Sequence, residues 1–317
     1  MKGAFQLRTY RRRRYITEEN GMSKVGFIGL GIMGKPMAKN LVKAGYDLIV
    51  YDIVDAAVKE LGEAGAQAAP SIAEVAQAAD IIVTMLPNSP HVKEVVLGAD
   101  GVLEHAKEGT IIVDMSSISP IASQEIAAEC EKKGVILLDA PVSGGEPKAI
   151  DGTLAIMVGG DEAAFKKVEE MLLKMGSSAV LVGAVGSGNV TKLANQIIVA
   201  LNIAAMSEAM VLATKNGVDP EKVYNAIRGG LAGSTVLDAK MPMVLSGNFN
   251  PGFRIELHIK DLQNALDCAH SVNSPIPLTA EVMEIMQGLK VAGMEKNDHD
   301  AIIRHYEKLA GVEVRRD

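Results

Sequence analysis

The sequence predicts an α/β fold: a mainly parallel sheet with crossover helices, then an all-helical part, the two joined by a long helix. Three observations predict it. Short β-rich runs alternate with helical stretches from Val25 to about residue 183, the pattern of successive βαβ units. Strand-like runs stop there and only helical spacing follows. The 317 residues exceed what one hydrophobic core usually organises, so two domains are expected.

In order, the strands are expected at Val25–Ile28, Leu48–Tyr51, Ile81–Met85, Ile111–Val113 and Val135–Leu138. Crossover helices are expected at Met33–Ala44, Ser71–Ala78, Ser89–Val96 and Ser119–Lys132, several opening on a serine suited to the N-cap. Leu154–Val158 and Ala179–Val182, flanking a helix at Asp161–Met175, extend the sheet. The all-α part takes Gly188–Asn216, Pro220–Arg228, Ile259–Ser271, Pro277–Ala292 and His299–Ala310. Residues 22–183 are thus expected to form one domain and residues 184–317 the other.

Residues 1–21 stand apart, with Arg8 and Arg11–Arg14 among aromatics and no acid before Glu18. They are read as an extension ahead of a start at Met22, with an Arg-rich targeting peptide or a polybasic membrane contact as alternatives. Beyond them the formal charge of −7 is scattered, with no basic footprint for nucleic acid. Leu193–Ala213 is the most apolar long stretch, but Asn195, Gln196, Asn202, Ser207 and Glu208 interrupt it. Each is expensive in lipid, so the stretch is read as a helix enclosed by other helices, at a domain or subunit interface of a homo-oligomer (dimer or tetramer) and not as a membrane span. The two cysteines, Cys130 and Cys268, have no ligand-like companions, which points to a reducing, cytoplasmic setting without a zinc site. Asp298-His299-Asp300 lacks the helical HxxxH spacing of a metal site and reads as the cap of the last helix, so no metal is expected. The 16 methionines are assigned to filling core gaps.

Gly29-Leu30-Gly31-Ile32-Met33-Gly34 follows the first strand and opens the first helix, which is the context that gives a GxGxxG pattern meaning. Gly29 permits the tight turn, Gly31 lets backbone approach a pyrophosphate, and Gly34 lets helix and strand pack closely. The fold is therefore expected to begin with a Rossmann-type dinucleotide-binding domain. Asp52, at the end of the second strand, is placed to accept hydrogen bonds from ribose hydroxyls and to repel a 2′-phosphate. No arginine follows it immediately, so the expectation is NAD (NADH) rather than NADP.

Four segments resemble the β-hydroxyacid dehydrogenase family, in order, over essentially the whole chain from Met22: Gly29–Leu41 with its Met-Gly-x-Pro-Met extension, Asp139-Ala140-Pro141-Val142-Ser143-Gly144-Gly145, Gly183–Gln196, and Lys260–Asp267. The resemblance implies an NAD-dependent oxidoreductase acting on a short carboxylated aldehyde. Residues 85–93, 144–149 and 229–234 narrow that expectation to reduction of tartronate semialdehyde to D-glycerate. The alternative is the methyl-bearing couple of 3-hydroxyisobutyrate or a related semialdehyde. The resemblance also implies that Ile32, Met33, Leu86, Pro87 and Lys260 lie against the cofactor.

The residues suit that chemistry. Reduction needs a proton for the forming alkoxide, and Lys192, if partly buried, both stabilises that charge and donates the proton. Asn195 lies three residues on and Gln196 four, on the same helix face; Asn195 is the preferred catalytic partner. Ser143, Gly144 and Gly145, after a strand end, offer a hydroxyl and bare N–H groups to a carboxylate. Ser117 is assigned to the cofactor or the substrate, with Ser116 as its rival, and Asp261 is read as a local partner for Lys260. A non-catalytic NAD-binding module is the contrasting reading, and Lys192 with the Ser-Gly-Gly segment argues against it.

Overall fold

The computed structural model describes residues 24–316; the extension at residues 1–21 lies outside the described residues. Nine strands form one sheet: β1 (Val25–Ile28), β2 (Leu48–Tyr51), β3 (Gln67–Ala68), β4 (Ile81–Thr84), β5 (Ile111–Asp114), β6 (Ile136–Asp139), β7 (Val142–Ser143), β8 (Leu154–Gly159) and β9 (Gly176–Gly183). The helices of this part are α1 (Gly34–Lys43), α2 (Asp55–Glu63), α3 (Ile72–Ala78), α4 (Ser89–Leu97), α5 (Val102–His105), α6 (Pro120–Glu131), α7 (Gly145–Asp151) and α8 (Glu162–Leu172). The joining helix is α9 (Ser187–Lys215), followed by α10 (Pro220–Ile227), α11 (Thr235–Leu245), α12 (Ile255–Ser271), α13 (Pro277–Val291) and, after a 3₁₀ turn at His299–Ile302, α14 (Ile303–Ala310).

The sheet order is β3-β2-β1-β4-β5-β6-β8-β7, with β9 also paired to β8. Pairing from β3 to β6 is parallel, β8 turns antiparallel to β6 and β7, and β9 is parallel to β8. β1, β2, β4, β5 and β6 are buried on both faces, so they read as continuous apolar runs, whereas the two-residue edge strand β3 is exposed. Val25 and Phe27 of β1 pack with Met37 and Leu41 of α1, while Ile28 joins Val75, Val92 and Ile126 on the opposite face. β1 lies between β2 and β4, and Ile28 is in register with both Tyr51 and Thr84. The chain therefore leaves three neighbouring strands side by side at Gly29, Asp52 and Met85, the switch point where such sheets open a crevice.

The differences from expectation are local. β3, β7, α2, α5, α7 and α11 are additional elements. The Ser-Gly-Gly segment is not a loop: Ser143 ends β7 and Gly145 starts α7. Asn88, not Ser89, caps α4, and Ser119 precedes α6 without a side-chain cap bond. Asp52 lies one residue past β2.

α9 is long and apolar enough to cross a membrane by length and composition. It packs instead against α10 to α14, with Asn189, Lys192, Gln196 and Ser207 buried along it. Within the single chain enclosure is incomplete: Val190, Ile198 and Leu212 remain 48%, 61% and 66% exposed, because the bundle covers only part of the helix circumference.

Candidate active site

The crevice begins with a steric constraint at the end of β1. Gly29 adopts a φ of +97°, and a Cβ on Gly34 would stand 1.9 Å from the Gly29 carbonyl oxygen, so α1 can start this close to the strand only with glycine there. A Cβ on Gly31 would meet nothing within 4 Å, which leaves backbone bare at the crevice mouth. Met33 precedes α1 and its side chain makes no cap hydrogen bond, so the helix start retains donors for an anion. Leu30, Gly31, Ile32, Asp52 and Val54 line a cavity of about 730 Å³, whose other wall carries Lys35, Lys39, Glu146 and Ile150. Asp52 closes the turn by accepting from Leu30 N at 2.5 Å and Val54 N at 2.8 Å. A carboxylate oxygen accepts more than one bond, so capacity for ribose hydroxyls remains. These features fit a dinucleotide: bare backbone, uncapped helix start and a carboxylate stand in the expected succession.

At the other end of the crevice, polar side chains from both domains form a chain of hydrogen bonds. Ser143 Oγ donates to Asn195 Oδ1 at 3.3 Å, Asn195 Nδ2 donates to Gln196 Oε1 at 2.9 Å, and Gln196 Nε2 donates to Asp261 Oδ2 at 2.6 Å. Asp261 Oδ1 lies 3.2 Å from the Lys260 ammonium. Lys260 donates in turn to the Pro87 carbonyl at 3.1 Å and the Ser117 carbonyl at 2.8 Å, after β4 and β5. Its ammonium ties α12 to the loops after β4 and β5, the two segments expected to lie against the cofactor.

Lys192 is buried on α9 one turn before Gln196. Burial lowers its pKa to about 8, the nearby Asp261 carboxylate pulling it up and the Lys260 ammonium pushing it down. Such a group exchanges its proton near neutral pH, the range useful to an acid or base.

Ser116 and Ser117 are packed differently. Ser116 is fully buried, its Oγ accepting from Leu86 N at 2.8 Å and its own N–H donating to Asp114, whereas the Ser117 side chain is only half-buried. Leu86 and Pro87 thus flank the crevice through backbone held from β5. Gly144 and Gly145 have φ of 142° and 69° and turn the chain into α7, whose Glu146 reaches the rim of the cavity.

Residues not singled out from the sequence hold this frame. Asp139 accepts from Gly186 N and Asn189 N, both at 2.7 Å, and so fastens the start of α9 to the end of β6. Asn189 Oδ1 accepts from Ile118 N at 3.0 Å. One turn past Lys192, the buried His258 contacts the Gln196 carbonyl at 3.2 Å and His299 Nδ1 at 2.9 Å, with Phe253 edge-on to both rings. Burial takes the His258 pKa down to about 4, so the pair is neutral at ordinary pH. Asp298 caps the 3₁₀ turn and also holds Lys240, which bonds it at 2.7 Å. Gln196 was visible through helical spacing and Asp261 as the neighbour of Lys260, whereas nothing in the sequence around Asp139, His258 or His299 signals the long-range contacts they make.

Two family models match the chain: the NAD binding domain of 6-phosphogluconate dehydrogenase over residues 24–185, and the NAD-binding region of NADP-dependent 3-hydroxyisobutyrate dehydrogenase over residues 186–306. The 2-hydroxy-3-oxopropionate reductase of Escherichia coli is 46% identical, covering 90% of this chain and 98% of that protein. The mitochondrial 3-hydroxyisobutyrate dehydrogenase of Mus musculus is 43% identical, covering 89% and 86%. Among solved structures, the 3-hydroxyisobutyrate dehydrogenase of Mycobacterium tuberculosis with L-serine superposes with a TM-score of 0.83 at 32% identity, covering 90% of this chain and 99% of that one.

Proposed function

This chain belongs to the β-hydroxyacid dehydrogenase family, and is an NAD(P)-binding oxidoreductase acting on a CH–OH group; from that premise we propose that it interconverts a short carboxylated semialdehyde and its 3-hydroxy acid. The observation that carries the proposal is the buried Lys192, with a pKa near neutrality, at the domain junction beside Asp261 and Lys260.

Bound NADH supplies the hydride to the aldehyde carbon. Lys192, as an ammonium, stabilises the charge growing on the carbonyl oxygen and gives it a proton; in oxidation the free amine takes that proton back. Asn195 bonds the reacting oxygen or orients the ammonium, and the Asn195–Gln196–Asp261 chain fixes its rotamer. Ser143, with the Gly144 and Gly145 backbone, holds the carboxylate. Gly29, Gly31, Ile32, Met33, Gly34, Asp52, Leu86, Pro87, Ser117 and Lys260 form the cofactor's bed, and Asp52 favours NAD. The bonds of Lys260 to the Pro87 and Ser117 carbonyls hold these cofactor-side loops against α12.

A substrate of the 3-hydroxyisobutyrate kind is the reading we favour, because the model matching the helical domain and the superposed structure both carry that description. Tartronate semialdehyde is the second reading, supported by the 46% identity with the bacterial reductase. The two substrates differ by a methyl against a hydroxyl. A site that bonds the hydroxyl rejects the methyl analogue strongly, whereas an apolar one discriminates only modestly. Following NADH absorbance with methylmalonate semialdehyde and with tartronate semialdehyde tests this. Faster turnover per KM with the first supports the favoured reading, a large preference for the second replaces it, and turnover of neither sinks the substrate class.

The domains are proposed to divide at residues 183 and 184, ahead of α9. The uncovered apolar face of α9 supports a dimer or tetramer, and the free thiols of Cys130 and Cys268 support a cytoplasmic setting.

A further inference from the structure

α1 carries Lys35, Lys39 and Lys43 at four-residue spacing, so the three share one face, and all three line the nucleotide cavity together with Asp52, Val54 and Ala57. Glu60 stands one turn beyond Ala57 on α2. Its two oxygens are divided between the lysines: Oε2 accepts from Lys35 Nζ at 2.9 Å and Oε1 from Lys39 Nζ at 2.5 Å. The two ammonium groups hold its carboxyl down at about 2, so it is ionised throughout any practical assay.

Around the adenosine end of the crevice the fixed charges cancel, Lys35, Lys39 and Lys43 against Asp52, Glu60 and Glu146. ADP-ribose needs no cation at its 2′-oxygen. A 2′-phosphate adds a charge of about −1.5 to −2 and needs at least one. Two of the three lysines that line the cavity, Lys35 and Lys39, are already committed to Glu60, and the third, Lys43, lies at the exposed far end of α1. Asp52 is an awkward place to relieve the repulsion, because both its oxygens fasten the glycine turn through Leu30 N and Val54 N. Glu60 fastens nothing in that turn. Its ion pairs are part-exposed, with Lys35 and Glu60 side chains at 36% and 41%, and contribute little to stability in such a setting.

We propose that Glu60 is a determinant of cofactor choice, holding Lys35 and Lys39 in ion pairs that deny them to a 2′-phosphate and so discriminating against NADP. This rests on reading the cavity as the adenosine end of a nicotinamide dinucleotide site. When the Glu60 charge is removed, Lys35 in the first turn of α1 and Lys39 one turn on become available to the phosphate.

The test is calorimetric titration of ADP-ribose and 2′-phospho-ADP-ribose, which lack nicotinamide and report binding without turnover. Glu60→Gln is expected to raise affinity for the phosphorylated probe relative to ADP-ribose by roughly tenfold, the effect of one nearby charge in a partly solvated site. Adding Lys35→Ala and Lys39→Ala to that variant is expected to remove the gain. An unchanged ratio in Glu60→Gln, with ADP-ribose still bound, overturns the role of Glu60 alone. A gain that survives loss of both lysines also overturns it. Failure of the unsubstituted protein to bind ADP-ribose overturns the proposal together with the nucleotide-site reading beneath it.

Discussion

The two ends of the crevice are built on different principles. The nucleotide end is six consecutive residues, Gly29 to Gly34, whose shape is fixed by what the backbone permits: a positive φ at Gly29 and a helix that starts in contact with the strand at Gly34. The catalytic end draws Ser143, Asn195, Gln196, Lys260, Asp261 and the Pro87 and Ser117 carbonyls from five separate stretches of chain, and side-chain hydrogen bonds hold it. The first end is therefore set by local sterics. The second depends on the register of α9 and α12 against the sheet, which Asp139 and Lys260 maintain. Substitutions ought to separate the two ends, one by folding and binding, the other by rate.

The largest separation is expected from Lys192→Ala. Loss of a positioned acid lowers the rate by about 10² to 10⁴-fold, while ADP-ribose binding measured by calorimetry stays intact. On the proposed mechanism reduction uses the ammonium of the unsubstituted protein, so its rate is expected to hold below pH of about 8 and to fall above it, while oxidation, which uses the amine, is expected to rise through the same range. Stability follows the opposite logic to a salt bridge. The folded pKa lies below the unfolded value, so between about 8 and 10.5 the unfolded chain binds more protons and Lys192 makes the protein more stable as pH rises. Thermal unfolding across that window, compared with Lys192→Ala, isolates this contribution. A rate that survives the substitution erases the proposed difference between the ends.

Gly34→Ala and Gly31→Ala test the nucleotide end against itself. At Gly34 the new Cβ meets the Gly29 carbonyl oxygen at 1.9 Å, so α1 must move and stability falls by about 1 to 3 kcal/mol, with nucleotide binding lost as well. At Gly31 the methyl finds no protein atom within 4 Å. The melting temperature is then expected to stay put while ADP-ribose binding weakens, because the space belongs to the ligand. Equal melting losses in the two variants contradict that assignment.

The same division explains what was legible in the sequence. β1, β2, β4, β5 and β6 announced themselves because burial on both faces makes each a continuous apolar run, and the glycines because their constraint is local, whereas the short exposed β3 did not. α11 was hidden by Pro242 within it, although Ser234 caps it through Leu237 N. α7 was hidden by its two glycines, which look like loop and instead provide the positive φ that starts the helix. Lys192 and Asn195 were visible through helical spacing and family resemblance, whereas Asp139 reaches α9 across 47 residues from Gly186 and no local pattern records such a bond. The uncovered stripe of α9 has the same origin: composition says that the helix is apolar all round, but only the bundle's geometry says which side stays open.

Within the catalytic end, Asp261→Asn distinguishes charge from shape. The asparagine keeps a bond to Gln196 but removes the carboxylate that pulls the Lys192 pKa up. Burial and Lys260 then act unopposed, so the pKa falls and the decline of reduction moves to lower pH. The pH profile of kcat is the measurement, and an unmoved profile removes Asp261 from the electrostatics of the site. The rate at mildly acidic pH, where the ammonium persists, is expected to drop far less than in Lys192→Ala.

Ser143→Ala carries the smallest expected effect. The Ser143 contact to Asn195 is long, at 3.3 Å, and Asn195 is held more closely by Gln196 at 2.9 Å. Removing the hydroxyl should therefore leave Asn195 in place and cost only the bond to the substrate carboxylate. A hydrogen bond to a charged group contributes about 1.5 to 3 kcal/mol, and neighbouring N–H groups of Gly144 and Gly145 compensate part of that loss. KM is expected to rise several-fold with kcat nearly unchanged, because a carboxylate distant from the reacting carbon is gripped equally before and during hydride transfer. A fall in kcat at constant KM would instead mean that Ser143 works through Asn195, and the hydrogen-bond chain would then have to be counted as starting one residue earlier than the substrate's own grip.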